Sequence, residues 1–246
     1  MKNHGFEIVD CNTSFGSDPK KTNDAPLGDL LGDLGAHNIG RAFAFSWKAV
    51  HYDPVEGNDE AIETAAGHDA LLPAAVLDPR NLSLTDEAAR CHENGVRLFR
   101  IFPELHGYDW DYLPLERMIE RFAPLNVPLM VSAMPGGTAS ALARLSTRFS
   151  FPVIMTSISY GSAAEALAAA KLAPNLFFES HIFSSPGLLE LFVTELGADR
   201  VVYGSNAPIH YVGSSLASLI HAKVSDDDKQ AIFRDNILRL TGVRND

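Results

Sequence analysis

Eight short apolar runs, each followed by a stretch with helical spacing, constrain this chain more than any other feature. They are EIVDCNTSFG (7–16), GRAFAFSW (40–47), LLPAAVLDP (71–79), VRLFRIFP (96–103), VPLMVSAM (127–134), PVIMTSIS (152–159), NLFFESHIF (175–183) and RVVYGSNAP (200–208). Runs this apolar suit strands buried on both faces, as parallel strands are when helices cover them. Strict β/α alternation puts those helices outside the sheet. Eight units at an average spacing of about 30 residues favour a closed ring over an open sheet. The expected fold is therefore an α/β, (β/α)8 TIM barrel, one domain over residues 1–246. The length sits near the ~250 residues typical of that architecture.

Between the strands, LGDLLGDLGAHN (27–38), EAIETAAG (60–67), residues 85–94, LPLERMIERFAPL (113–125) and the alanine-rich SAAEALAAAKLA (162–173) read as helices. KAVHYDPVEGND (48–59) and ELHGYDWDY (104–112) read as long loops, because Gly, Asp and Pro punctuate the first and no helical period runs through the second. No linker, low-complexity tract or short tandem repeat divides the chain.

The formal net charge is −11. An acidic surface gives no reason to seek nucleic acid or an anionic membrane. No apolar run approaches the ~20 residues of a membrane span, and MKNHGFEIVD does not read as a signal peptide, so a cytoplasmic location is expected. The two cysteines, Cys11 and Cys91, fall on a predicted strand and a predicted helix, which excludes a disulfide framework or a Cys-x-x-Cys metal knuckle.

A barrel of this kind carries its site at the carboxyl ends of the strands. The residues there are Asn12 and Ser14, Ser46 and Lys48, Asp78, Arg100 and Glu104, Ser132, Thr156 and Ser157, Glu179 and His181, and Ser205 and Asn206. Alternation along the first strand predicts that Asp10, Asn12 and Ser14 share one polar face and that Cys11 points the other way, toward the helices. His51, His106 and His210 lie on loops just beyond strand ends.

Arg100 lies mid-strand with Leu98 and Phe102 on its face. It reads either as a grip for a substrate carboxylate or lactone oxygen, or as one half of an internal ion pair with Asp10 or Glu179. Glu179 and His181 are spaced to share a face as a general base and its orienting partner. The plainer reading of His181 is a hydrogen-bonded histidine at a strand end. His106, beside Tyr108 and Trp110, reads as one wall of a small-molecule pocket or as part of an apolar lid. Lys48 and His51 read as solvated loop residues. Ser205 lacks the second glycine of a serine elbow and reads as a rim hydrogen-bonding group.

VDCNTSFG at the first strand, GN in the second connection, VLDP, GVRLFRIFPELHGY, VPLMVS, RVVYGSNAP and the closing DNILRL, in this order, resemble the amidohydrolase superfamily. The likeness covers most of the chain and is greatest to the amidohydrolase-related branch of barrel hydrolases, lactonases and decarboxylases. Metal-dependent members carry two histidines one residue apart at the end of strand one, further histidines on the middle strands, and an aspartate after Gly-Ser at strand eight. Matching positions here read Asn12 and Ser14, then Ser132 and Thr156 or Ser157, then Asn206. Amides and hydroxyls are poor substitutes for imidazole and carboxylate on zinc, so the family metal is expected to be lost and no cofactor is expected. Asp10 remains, and burial would call for an Arg or Lys beside it.

The resemblance implies a metal-independent hydrolase acting on a small carboxylated or cyclic, lactone-like substrate, with decarboxylation as a related chemistry. In that reading His181, helped by Glu179 or Asp10, activates water. Arg100, Ser14 and His106 bind the substrate, while Asn12 and Asn206 donate to the oxyanion. The alternative is a catalytically silent barrel kept for binding or assembly. A small-molecule ligand and a homodimer are the expected partners.

Overall fold

The computed structural model describes residues 5–19, 24–81 and 86–244. Among these, eight strands form one sheet: β1 (Val9–Phe15), β2 (Arg41–Ser46), β3 (Leu71–Val76), β4 (Leu98–Arg100), β5 (Leu129–Ser132), β6 (Val153–Thr156), β7 (Leu176–Glu179) and β8 (Val201–Val202). They pair in parallel in sequence order from β1 to β8. The residues after β8 close the ring against β1. Cys11 N donates to Tyr203 O and Ser14 N to Ala207 O, both at 3.0 Å, and Thr13 bridges Ala207 in parallel.

Outside the ring lie α1 (Leu27–Ala36), α2 (Trp47–His51), α3 (Pro54–Ala66), α4 (Glu87–Glu93), α5 (Pro103–His106) and α6 (Leu113–Phe122). They are followed by α7 (Thr138–Ser146), α8 (Ala163–Leu172), α9 (Leu188–Leu196), α10 (Val212–Ile220), α11 (Asp226–Gln230) and α12 (Asn236–Thr241). The architecture is the (β/α)8 TIM barrel that the alternation predicts. The helix start expected at Thr85 lies outside the described residues. No helix among the described residues is long and apolar enough to cross a membrane.

Strand alternation sorts the core into two layers. Phe43, Leu72, Leu98, Met130, Ile154, Phe177 and Val202 pack together inside the ring, where Ile237 and Leu240 of α12 join them. Their strand neighbours, such as Ala42, Phe99, Val131 and Phe178, pack outward against the helices. Each inward residue is separated by two positions from the next one up its strand, so the level above this apolar floor is fixed by the pleat.

The first strand departs from simple alternation. Asp10 pairs with Ala42 and Thr13 with Ala44, so three steps of β1 run against two of β2. The extra residue is a β-bulge, which shifts every later side chain by one position. Cys11 packs in the interior cluster with Val9 and Phe43, not toward the helices as expected, because the inward phase of the strand is set by Val9, two residues before it, and not by Asp10.

The connection 48–59 also differs from its expectation as a loop, because it is mostly helical. Ser46 Oγ accepts from Lys48 N and caps α2, and Asp53 Oδ1 accepts from Glu56 N and caps α3 with Pro54 at its first turn. Gly57 lets the two helices meet: a Cβ there would come within 2.5 Å of Ala49 Cβ. Residues that read as loop punctuation are caps and a helix contact.

Candidate active site

One step above the apolar floor, the inward positions are Arg100 on β4, Ser132 on β5, Thr156 on β6, Glu179 on β7 and Gly204 just past β8. The bulge turns Asn12 toward the same level. Asn12 Oδ1 accepts from Arg100 Nη1 at 2.5 Å, and Asn12 Nδ2 donates to Glu179 Oε2 at 3.2 Å. A cation on one side and a carboxylate on the other leave the amide a single orientation.

Glu179 is fully buried and in turn holds His181. Its Oε1 accepts from the His181 main-chain N at 2.6 Å and its Oε2 from Nδ1 at 2.5 Å. A carboxylate can only accept, so Nδ1 carries a proton here and Nε2 is the ring nitrogen left for proton exchange. Gly204 makes this geometry possible. A Cβ at that position would lie 2.7 Å from both Glu179 Cδ and Asn12 Cβ.

Arg100 is not half of an internal ion pair, since no carboxylate among the described residues lies within ion-pairing distance of it. Its guanidinium lies over the adjacent Phe45 and Phe102 rings, 5.0 and 4.8 Å from their centroids, which are themselves 5.4 Å apart. Its Nε has no hydrogen-bond partner among the described residues. Burial pulls its pKa down to about 10, with the charge of Glu179 opposing the shift.

Asp10 is fully buried beneath this network. Its Oδ1 accepts from the main-chain N of Asn12 and of Ser205, each at 3.0 Å, and its Oδ2 is unpartnered among the described residues. The Arg or Lys expected beside it is absent among the described residues. Two backbone donors take that place, and burial pushes the carboxyl up to about 7.

A cleft of about 620 Å³ opens at the carboxyl ends of β4 to β6. Arg100, Ser132 and Ser157 lie on its inner side, and Phe102, Tyr108 and Trp110 form an aromatic wall. The opposite wall is the segment from Met134 to Gly137. Glu165 of α8 fixes that segment, because its carboxylate accepts from Gly137 N at 3.0 Å and Ser140 N at 2.9 Å at the start of α7. His181 and Glu179 are not among the cleft's lining residues.

The other sequence candidates divide. Ser14 is buried and its Oγ accepts from Trp47 Nε1 at 3.1 Å, so it supports the indole. His106 is buried behind the aromatic wall, with Nε2 3.0 Å from Val50 O and Nδ1 3.7 Å from Asp78 Oδ1. Burial holds it below the usual histidine pKa. It does not line the cleft. Asn12 has both ends of its amide engaged and is no free oxyanion donor. Asn206 donates its main-chain N to Asn12 O at 2.7 Å and holds φ at +58°, a left-handed conformation unusual for a residue with a side chain. Ser205 Oγ accepts from Ala207 N, a local rim contact. Lys48 pairs with Glu56 at the surface.

His210 and Gly204 were not assigned roles from the sequence. The His210 ring lies 5.2 Å from that of His181, and burial and the His181 charge hold it below the usual histidine value. Its only sequence signal is its position two residues past the strand-eight run. Gly204 gives no chemical signal, since its function is to have no side chain.

Glu179, His181 and Asp10 are the groups nearest to a metal-ligand set, but Glu179 already accepts three hydrogen bonds and Asp10 lies below the mouth. No three His, Cys, Asp or Glu side chains among the described residues come together as a metal site. The residues therefore do not reproduce the histidine-rich donor set of the family.

No curated protein matches this sequence. A family model described as amidohydrolase matches residues 15–243. Among solved structures, 5-carboxyvanillate decarboxylase LigW from Sphingomonas paucimobilis superposes with a TM-score of 0.76 at 12% identity, covering 97% of this chain and 100% of its own. The 2,6-dihydroxybenzoate decarboxylase from Rhizobium gives 0.70 at 17% identity, covering 96% and 99%. The dihydroxybenzoic acid decarboxylase from Polaromonas sp. JS666, solved with manganese and 2-nitroresorcinol, gives 0.74 at 14% identity, covering 96% and 97%. These likenesses establish a shared barrel. The manganese in the Polaromonas structure overturns the expectation, drawn from neutral residues at Asn12, Ser14 and Asn206, that no metal cofactor belongs here. Residue types at aligned positions are too little to exclude a divalent ion in a barrel whose relatives carry one. The family itself follows from the match over residues 15–243: this chain belongs to the amidohydrolases.

Proposed function

We propose that this barrel acts on a small planar carboxylate, with Arg100 holding the anion and His181, oriented by Glu179, exchanging a proton with it. The observation that carries this reading is an arginine at the inner side of an aromatic-walled cleft, with no carboxylate paired to it among the described residues. Asn12 takes Nη1 and Nε is buried, while Nη2 makes no hydrogen bond among the described residues and is left as the charge-assisted donor for an anion in the cleft. Flat aromatic walls favour a flat ligand. The three decarboxylases named above act, by their names, on carboxylated aromatic acids, which supports the same substrate class.

His181 is suited to this work because Glu179 fixes its Nδ1 and leaves Nε2 for proton transfer. Hydrolysis of a cyclic ester needs a base for water; loss of CO2 from an aromatic acid needs an acid to protonate the carbon that is left. One imidazole can serve either. The test is turnover of benzoate-type acids and aromatic lactones, with and without manganese, followed by product analysis. Turnover that disappears in His181→Gln and Arg100→Met supports the proposal. Turnover that survives both substitutions overturns it.

A binding role is the second reading, favoured by the absence of His181 and Glu179 from the cleft lining. Saturable binding of a carboxylate with no product in either metal condition would favour it.

A further inference from the structure

We propose that Ser132 and Ser157 form a second polar subsite, which selects carboxylates bearing a hydroxyl or carbonyl across the ring from the acid group. This rests on the carboxylate reading of Arg100 above.

Three observations carry it. First, Arg100, Ser132 and Ser157 line the same cleft, and their strands stand side by side in the order β4, β5, β6. Arg100 pairs in register with Met130, and Ser132 with Thr156. The two serines therefore sit one and two strands away from the arginine, and β6 lies roughly 10 Å from β4 at about 4.8 Å per strand. With side chains reaching inward from both sides, the remaining span suits one six-membered ring with polar groups at opposite edges. An ortho substituent would stay beside the arginine.

Second, both hydroxyls retain bonding capacity. Ser132 Oγ accepts from Met134 N at 3.2 Å, which leaves its proton to donate. Ser157 Oγ has only a long 3.5 Å contact to Thr156 Oγ1. No other side-chain partner of either hydroxyl is present among the described residues.

Third, Ser157 holds φ at +61°, in the left-handed region that a residue with a Cβ rarely adopts. Glycine would fit this backbone more easily. A serine kept in such a conformation beside a ligand-sized cleft points to use of its hydroxyl.

The experiment is calorimetric binding of benzoate, 2-hydroxybenzoate, 3-hydroxybenzoate and 4-hydroxybenzoate to the full chain and to Ser132→Ala, Ser157→Ala and the double variant. Thermal melts check that each variant is folded, and Ser157→Gly replaces Ser157→Ala if the latter is not. The expected result is that 3- or 4-hydroxybenzoate binds at least about tenfold tighter than benzoate and 2-hydroxybenzoate. The double variant should lose that advantage while keeping its affinity for benzoate. If benzoate binds through Arg100 and no hydroxyl position helps, or if the advantage survives in the double variant, the subsite is wrong and the anion reading stands. If none of the four acids binds, the anion reading falls and the subsite with it.

Discussion

Glu179 grips His181 at two points, the main-chain N at 2.6 Å and the ring Nδ1 at 2.5 Å. The two residues are only two positions apart, so the carboxylate closes a small ring that fixes both the backbone and the imidazole. Glu179→Gln replaces one acceptor oxygen by a donor, and the amide cannot satisfy both His181 contacts and Asn12 together. Turnover of an identified substrate is expected to fall by about 10²- to 10⁴-fold with the fold intact. Wild-type turnover in this variant would remove Glu179 from the mechanism.

Arg100 is expected to dominate anion binding. In Arg100→Met, benzoate affinity should drop by roughly 10- to 100-fold, the scale of a lost charge-assisted hydrogen bond. Arg100→Lys should recover little, because an ammonium lacks the delocalised planar charge that lies over Phe45 and Phe102 and cannot bond Asn12 and an anion through separate fixed nitrogens. Titration calorimetry on the three proteins decides the point; equal affinities would mean that the anion binds elsewhere.

Gly204→Ala should damage the site from behind. The added methyl would overlap Glu179 and Asn12, and overpacking of this kind costs about 1–3 kcal/mol. Denaturant unfolding should report that loss, with ligand binding or turnover falling further than stability alone accounts for. A variant that melts and binds like the parent would show that Glu179 has room to move.

Asp10 should impose a pH dependence on stability. Its folded pKa of about 7 lies above the ordinary 3.8, so between these values the native state keeps a proton that the unfolded chain has released. The stabilising contribution is complete below about pH 4 and is lost as pH rises through 7, by at most about 4 kcal/mol. In Asp10→Asn, Oδ1 can still accept from Asn12 and Ser205 while the titration is gone. Stability of the variant relative to the parent should therefore increase between pH 4 and pH 8, as followed by urea melts. Parallel pH profiles would contradict it.

The barrel was legible because each strand is buried on both faces, which leaves an unbroken apolar run. The bulge in β1 was not, since one additional residue between Asp10 and Thr13 changes the direction of side chains without changing composition. That is why Asn12 turns inward directly after the inward-facing Cys11. The Glu179–His181 pair was readable from its spacing of two. The bridging role of Asn12 was not, because its partners Arg100 and Glu179 lie 88 and 167 positions away and meet it only when the ring closes. Helices α2 and α3 were hidden by Ser46, Asp53 and Pro54, whose capping roles resemble loop chemistry until the backbone is seen.

Glu165 has a consequence for how the mouth of the cleft is supported. By anchoring the start of α7 from α8, it ties one bank of the cleft to the next β/α unit, so that bank and the β5 and β6 ends behave as one piece. The facing bank, between Glu104 and Tyr112, carries the exposed Leu105 and is held from its other side, where Arg80 Nη1 donates to His106 O at 2.7 Å and His106 Nε2 lies 3.0 Å from Val50 O. The two banks thus belong to different β/α neighbourhoods and are braced in opposite directions, so a ligand between them is gripped by two supports that do not share a single contact.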